Sequence, residues 1–198
     1  MKKLFLMMSL LILLTSFSTM VFGQAFIDIK EKAEKGDAAA QVKLGLMYVH
    51  GMGVTQDWSQ AKFWIEKAAA QGEAVAQYNL GIMYAQGKGV KQDLSQARVW
   101  WEKAAAQGKA DAQMNLGIMY STGQGVKQDW SQAKLWFEKA ALQGDADAQV
   151  NLGVMYAQGK GVKQDWTQAK LWFEKAAAQG DAKAKEMLEE IESIKKGN

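Results

Sequence analysis

Apolar side chains recur along this chain at helical spacing. One segment places them three or four positions apart, which puts them on a single face of a helix: Ala76, Leu80, Met83 and Tyr84. A second segment follows with the same spacing: Leu94, Ala97, Trp101, Ala104 and Ala105. No segment alternates apolar and polar residues with the period of two that is typical of a strand. The pattern therefore predicts pairs of helices and no sheet.

The signals that end and start these helices lie between the two segments. The run Gly87-Lys88-Gly89-Val90 interrupts the first helix, because glycine readily adopts the positive φ that ends a helix. Asp93 then provides an N-cap, and Gln96, three residues later, completes the pattern of a capping box. The chain has 19 glycines and no proline, so glycine is the residue that we expect to stop each helix.

The same arrangement returns every 36 residues. The spacing links four Leu-Gly pairs, which begin at Leu44, Leu80, Leu116 and Leu152. We predict four repeats at 37–72, 73–108, 109–144 and 145–180, with an N-terminal capping helix at 24–36 and a C-terminal capping helix at 181–198. One helical pair cannot bury its own apolar face, so stacked copies must share a core.

The repeat resembles the Sel1-like repeats, a family of helix–turn–helix solenoids related to the tetratricopeptide repeats. The residues that carry the resemblance are, in the second copy, Leu80-Gly81, Tyr84, Gly87-x-Gly89-Val90, Asp93, Ala97, Ala104-Ala105 and Gly108, with their equivalents. The resemblance implies an all-α fold, a right-handed α-solenoid of about four helix–turn–helix repeats with capping helices. It also implies an adaptor that holds protein partners, often in bacterial envelopes.

Residues 1–23 have the anatomy of a secretory signal peptide. Lys2 and Lys3 precede an apolar run from Leu4 to Leu14, and a small residue, Gly23, stands where cleavage is expected. Cleavage after Ala25 is the alternative site. An uncleaved anchor is a second alternative, but the run is shorter than the roughly 20 apolar residues that span a bilayer. We expect a periplasmic or secreted protein with no stable membrane anchor after cleavage.

Composition removes several classes of function. The chain has no cysteine and one histidine, so we expect no metal site and no cofactor. The 24 basic residues, less Lys2 and Lys3, leave 22 against 21 acidic ones, and this balance gives no reason to expect nucleic acid as a partner. The partner that remains is a protein or peptide.

Two features could indicate an enzyme or a glycan-binding module. Ser59-x-x-Lys62 and Ser131-x-x-Lys134 match the nucleophile motif of penicillin-binding enzymes, and a cysteine-rich branch of the resembled family is associated with β-lactamase activity, so a cell-wall or β-lactam hydrolase is the alternative function. The other copies read Ser95-x-x-Arg98 and Thr167-x-x-Lys170, however, and no catalytic partner motif follows. We predict a non-enzymatic protein with no catalytic residues.

The tryptophans are the second feature, since an exposed ladder of indoles could bind glycans. All eight fall in the predicted second helices: Trp58, Trp64, Trp100, Trp101, Trp130, Trp136, Trp166 and Trp172. The second copy has Leu94 at the position of Trp58, an apolar exchange that a core tolerates. We therefore predict that the tryptophans pack in the core or between repeats.

A partner would bind on the concave face, which the first helices of such solenoids line. By analogy with tetratricopeptide repeats, the positions two before, one before and two after each repeated leucine face that surface. These partner-binding candidates are Val42, Lys43, Leu46, Tyr78, Asn79, Ile82, Met114, Asn115, Ile118, Val150, Asn151 and Val154. The amides could bond to an extended peptide backbone while the apolar neighbours select side chains. The alternative is that these positions pack against a neighbouring helix or face water. We expect a monomer.

Overall fold

The computed structural model describes residues 24–197, which form ten helices and contain no strand. The predicted signal segment 1–23 lies outside the described residues. The helices are α1 (24–34), α2 (Ala38–His50), α3 (Trp58–Ala70), α4 (Ala74–Gln86), α5 (Leu94–Ala106), α6 (Ala110–Thr122), α7 (Trp130–Leu142), α8 (Ala146–Gln158), α9 (Trp166–Ala178) and α10 (Ala182–Gly197). The all-α prediction is confirmed.

Glycine ends the first helix of every repeat, as the sequence predicts. At the end of α8, Gly159 has a φ of 66°, and its backbone N–H donates to the carbonyl of Met155. Gly51, Gly87 and Gly123 adopt the same left-handed conformation after α2, α4 and α6. Because a side chain is strained at this φ, the residue that stops these helices is fixed by backbone geometry.

Aspartate starts each second helix, but only half of the expected capping box forms. Asp129 Oδ1 accepts hydrogen bonds from the backbone N–H groups of Ser131 at 2.9 Å and Gln132 at 3.0 Å. The backbone N–H of Asp129, which the Gln132 side chain should satisfy in a capping box, donates instead to the carbonyl of Tyr120 at 2.9 Å. The N-cap is therefore confirmed. The second hydrogen bond of the capping box is absent from this copy, because the backbone N–H of Asp129 is bonded to the preceding helix, α6.

The chain divides into two units, with the boundary between Gln92 and Asp93. In the first unit, α2 packs on α3 and α3 on α4. In the second unit, each helix from α5 to α10 packs on the next one along the chain. Each unit is thus built from antiparallel helical pairs, joined in sequence.

Alanines and one large side chain per second helix form the cores. In the second unit, Phe137 and Phe173 are 1% exposed and pack among buried alanines. Each ring lies against a glycine of the facing first helix, Gly117 or Gly153. The equivalent pair in the first unit is Ile65 with Gly45. The recurring Leu-Gly pair therefore lets a second helix approach closely and fit a bulky side chain over the glycine.

The tryptophans are less buried than we predicted. Only Trp64 and Trp101 are buried, at 6% and 7% exposure, and Trp166 is 44% exposed. The other five are half-buried. The predicted apolar face of the second helix contained Trp101, and the column of Trp101, Phe137 and Phe173 is indeed buried. The column one residue earlier is buried only at Trp64 and is half-buried at Trp100, Trp136 and Trp172. A shift of one residue rotates a side chain by about 100° around the helix axis, which moves it from the core to its edge.

Candidate functional site

A buried glutamine recurs in every first helix and connects it to its neighbours. Gln149 of α8 donates to the carbonyl of Ala141 in α7 at 3.2 Å and accepts from Nε2 of Gln179, which caps α9, at 2.9 Å. The equivalent bonds join Gln113 to Ala105 and Gln143, and Gln41 to Ala33 and Gln71. Each glutamine is 3–6% exposed. These amides bridge three successive helices and fix the spacing of the surface they support.

The sequence reasoning missed these glutamines, although their signal was present. Gln41, Gln77, Gln113 and Gln149 recur with the repeat period, each three residues before the repeated leucine. A polar residue that returns at one position of every apolar face indicates a specific hydrogen bond, because an unpaired buried amide is costly.

The loop that follows each first helix is closed by another glutamine. Gln164 Nε2 donates to the carbonyl of Ala157, seven residues earlier, at 2.7 Å. Gln56, Gln92 and Gln128 make the same bond in their copies. The same hydrogen bond therefore closes every loop between the glycine cap and the aspartate N-cap.

Two of the twelve partner-binding candidates are buried. Val150 is 4% exposed and packs with Phe173 and Ile191 between α8, α9 and α10, and Val42 is 9% exposed. The position two before the repeated leucine thus faces neighbouring helices rather than a ligand. Tyr78 and Met114 share it and are half-buried because their longer side chains reach the edge of the packing. Val42 and Val150 are therefore removed from the candidate surface.

The other ten candidates keep some exposed surface, and we call them the first-helix row. Ile118 is 39% exposed and Lys43 is exposed, whereas the remaining members are half-buried: Leu46, Tyr78, Asn79, Ile82, Met114, Asn115, Asn151 and Val154. Polar and apolar positions therefore stand side by side on α4 in the first unit and on α6 and α8 in the second.

Two of the three asparagines of this row, Asn79 and Asn151, turn toward their own helices. Asn79 Nδ2 donates to the carbonyl of Val75 at 2.7 Å, and Asn151 Nδ2 donates to that of Asp147 at 2.8 Å. One amide proton of each is used within the helix, while the side-chain oxygen can still accept. Each of these two amides therefore keeps one N–H donor and its oxygen for a partner, so the expected ladder of donors and acceptors loses one donor at Asn79 and one at Asn151.

A second apolar row, which the sequence reasoning missed, lies on the second helices. Phe63, Leu135 and Leu171 occupy equivalent positions and are 46%, 42% and 42% exposed. Beside them, lysine ammonium groups cover the half-buried tryptophans. Lys139 Nζ lies 4.2 Å from the centre of the Trp136 ring, and Lys175 Nζ lies 4.0 Å from that of Trp172. We call this set the second-helix row; its indoles are partly shielded rather than bare.

The family model that describes the Sel1 repeat matches residues 38–73, 74–109, 110–145 and 146–181. The chain belongs to the Sel1 repeat family. The resemblance inferred from the residues is therefore confirmed, and so is the all-α repeat fold. Sel1 repeat proteins are typically scaffolds for protein interaction, and the family is generally non-catalytic.

Two solved Sel1-type structures are 40% identical to the chain. A protective antigen present in uropathogenic Escherichia coli strains, displaying an SLR fold, superimposes with a TM-score of 0.83 over 84% of this chain and 36% of its own. A Sel1 repeat protein from Oxalobacter formigenes gives 0.80 over 86% and 49%. The chain thus spans about a third to a half of their length.

A more distant structure is also similar. Helicobacter pylori cysteine rich protein B is 26% identical, with a TM-score of 0.54 over 67% of this chain and 96% of its own. The comparison with curated proteins gave no match.

The serine–lysine motif has a structural role in this Sel1 repeat chain. Ser59 is the second residue of α3, where its backbone N–H donates to Asp57, and Lys62 forms an ion pair with Glu66 at 2.7 Å. In the second copy, the Tyr120 hydroxyl and the Glu102 carboxylate raise the pKa of Arg98, so its guanidinium stays charged. A cation held by a carboxylate is a poor general base, and the motif supplies a capped helix start with an ion pair one turn later.

Residues 24–197 were also compared with the requirements of a metal site and of a membrane-spanning helix. Within residues 24–197, no three His, Asp or Glu side chains are grouped so that they could hold a metal ion. None of the helices in that range is long and apolar enough to cross a membrane. His50, the single histidine, lies exposed at the end of α2.

Proposed function

We propose that this protein is an exported, non-enzymatic scaffold that binds an extended segment of a partner protein on the part of the first-helix row carried by α6 and α8 of the second unit. The observation that carries the proposal is the exposure of Ile118 on α6, the helix that also carries the amide of Asn115. A large aliphatic side chain at 39% exposure, next to hydrogen-bonding groups, is the combination that binds a peptide by both its side chains and its backbone.

Rigidity supports the same function. The buried glutamine bridges and the closed loops hold α6 and α8 at fixed spacing, so a partner would pay little entropy to order the surface it meets. The second-helix row supports the proposal less well, because lysines already lie over Trp136 and Trp172.

Export is the second part of the proposal. The motivation is the basic and apolar segment at 1–23, and one similar structure is described as a protective antigen, a role that fits an exported protein. N-terminal sequencing of the protein recovered from cells should start at Gln24. A chain that retains Met1 and stays with the cytoplasmic fraction would contradict export without bearing on the binding surface.

Site-specific photocrosslinking in the native host tests the surface. A photoreactive amino acid is placed at Ile118 in one variant and at Leu135, exposed on the second-helix row, in another. Leu142, which is 78% exposed and belongs to neither row, is the control position. Adducts of one discrete mass from position 118 alone are expected. Adducts from position 135 instead, or none above the control from either, would contradict the assignment.

A further inference from the structure

The same contact closes three successive repeat junctions. The second glycine of each loop lies on the first residue of the second helix in the preceding repeat. A β-carbon built on Gly89 would be 2.5 Å from the carbonyl oxygen of Trp58, and one on Gly161 would be 2.6 Å from Cβ of Trp130. Gly125 lies equally close to Leu94. Only glycine allows this approach, so the contact is specific to a Gly-x-Gly loop.

The residue between the two glycines completes the contact. Lys88 Nζ lies 5.1 Å from the ring centre of Trp58, and Lys160 Nζ lies 5.0 Å from that of Trp130. We call the residue on which each loop lies, Trp58, Leu94 or Trp130, the platform residue. Where it is Leu94, the loop carries Gln124 in place of lysine. We call this contact the loop–platform junction.

Trp166 has the equivalent position in the fourth repeat, and within residues 24–197 no Gly-x-Gly loop covers it. Lys195 stands at the position of the first loop glycine; the second position keeps a glycine, Gly197, but α10 continues to it as a helix instead of forming the loop. Trp166 is consequently 44% exposed, whereas Trp58 and Trp130 are half-buried.

An apolar cavity lies beside the uncovered ring. Its volume is about 150 Å³, and Trp166, Val154, Phe173, Met187 and Ile191 are among the residues that line it. Ile191 stands where the earlier repeats have methionine, and Met83 Cε lies 3.2 Å from a β-carbon built on Gly89. The shorter isoleucine and the missing loop together leave the space open.

The first loop of the chain has the matching shape. Gly51 and Gly53 have φ values of 68° and 71°, the same as Gly87 and Gly89 at 68° and 70°. The residue between them is Met52, an apolar side chain at 46% exposure where other copies have lysine or glutamine. The platform position for this loop is Phe22, which lies outside the described residues and in the segment that we expect to be removed with the signal peptide.

We propose that the Gly51–Val54 loop of one molecule docks on Trp166 of a second copy and forms a loop–platform junction between chains. Met52 enters the apolar cavity, and its thioether contacts the indole, a pairing that is favourable in proteins. The three internal junctions identify the occupant, because they show that a Gly-x-Gly loop covers this platform and the chain's own first loop has that backbone. The contact is heterologous, so it joins copies head to tail. It replaces the expectation of a monomer, and it rests on the proposed removal of residues 1–23 but not on the first-helix row.

Cross-linking of the mature protein, which has no cysteine of its own, tests the proposal directly. A Met52→Cys variant is mixed with a Glu190→Cys variant, since Glu190 lines the cavity, and treated with a short bismaleimide. A heterodimer is expected. The control mixes Lys88→Cys, the same loop position in an internal junction, with Glu190→Cys. A yield from the Met52 mixture no higher than from this control would overturn the proposal.

The second measurement is self-association, compared between variants that place like or opposite charges at positions 52 and 190. Sedimentation velocity of the mature protein should show a mass that increases with concentration. Met52→Glu should abolish the increase, and adding Glu190→Lys should restore it. Trp166→Ala, checked for helicity, should weaken association roughly 30-fold, as loss of an aromatic anchor does. An unchanged concentration dependence in Met52→Glu would contradict the junction, whatever the first-helix row binds.

Discussion

Gly153 of α8 lies directly under the ring of Phe173 in α9, so that a β-carbon on the glycine would be 2.5 Å from Cε1 of the ring. Phe173 is 1% exposed and enclosed by Ala169, Ala176 and Ala184, so the ring has little room to move away. The glycine is therefore required by tertiary packing, although it lies in the middle of a helix, where glycine is an unfavourable residue.

We expect Gly153→Ala to destabilise the protein despite its better helix propensity. Overpacking costs about 1–3 kcal/mol and outweighs the gain of about 1 kcal/mol from replacing glycine in a helix. Urea unfolding followed by circular dichroism measures the difference. Combining Gly153→Ala with Phe173→Leu should cost less than the sum of the single changes, because the smaller side chain makes room. Additive costs would show that the two residues do not clash.

Gln149→Met should destabilise the second unit by about 1–3 kcal/mol. Methionine fills a similar volume but leaves the carbonyl of Ala141 and the amide of Gln179 without their buried partner. The matched control is Gln158→Met in the same helix, where the side chain is exposed. Equal unfolding midpoints for the two variants would mean that the amide bridge contributes nothing to stability.

Much of this architecture follows from the sequence. The features that do not follow from it are those that depend on tertiary contacts. The helix ends were predictable because Gly87 and Asp93 act through local backbone geometry. The buried face of the second helices was predictable too, since helical spacing places Trp101 with Ala97 and Ala104, and all three are buried. The close approach of Phe173 to the glycine of the facing helix was not predictable, because it depends on how the two helices pack. The burial of Val150 was missed for the same reason, since periodicity alone does not distinguish a packed flank from an open surface.

Leu116→Ala should cost roughly 2–5 kcal/mol, because the side chain is completely buried and its removal leaves a cavity. Leu142→Ala removes the same atoms at a site that is 78% exposed and should shift the thermal midpoint far less. Thermal melts of the two variants, compared with wild type, measure the contrast. Similar midpoints would be incompatible with the repeat register described for α6.

Asp165→Ala should cost about 1 kcal/mol through loss of the N-cap of α9. Its Oδ1 accepts from the backbone N–H groups of Thr167 at 2.8 Å and Gln168 at 3.0 Å. Asp165→Asn keeps an acceptor at the same place and should retain most of the stability in chemical denaturation. If Asp165→Ala and Asp165→Asn have the same free energy of unfolding, the hydrogen bonds accepted by this side chain do not stabilise the start of α9.

No covalent adduct with a labelled penicillin is expected, because Lys62 and Lys134 form ion pairs with Glu66 and Glu138 instead of activating a serine. Mass spectrometry after incubation measures this. An adduct that disappears in Ser59→Ala or Ser131→Ala would establish the hydrolase alternative and overturn the non-enzymatic assignment.

The pairing of platform and loop residues has an evolutionary consequence for how such a gene can lose or gain copies. Trp58 is matched by Lys88 and Trp130 by Lys160, whereas Leu94 is matched by Gln124. Recombination that excises 94–129 removes Leu94 and Gln124 together and leaves both tryptophan–lysine matches intact. An excision of equal length from 109 to 144 would set Leu94 against Lys160 and discard Trp130. The 36-residue segment whose loss preserves the junctions therefore begins at the start of a second helix, whereas the repeat as a helical pair begins at the start of a first helix.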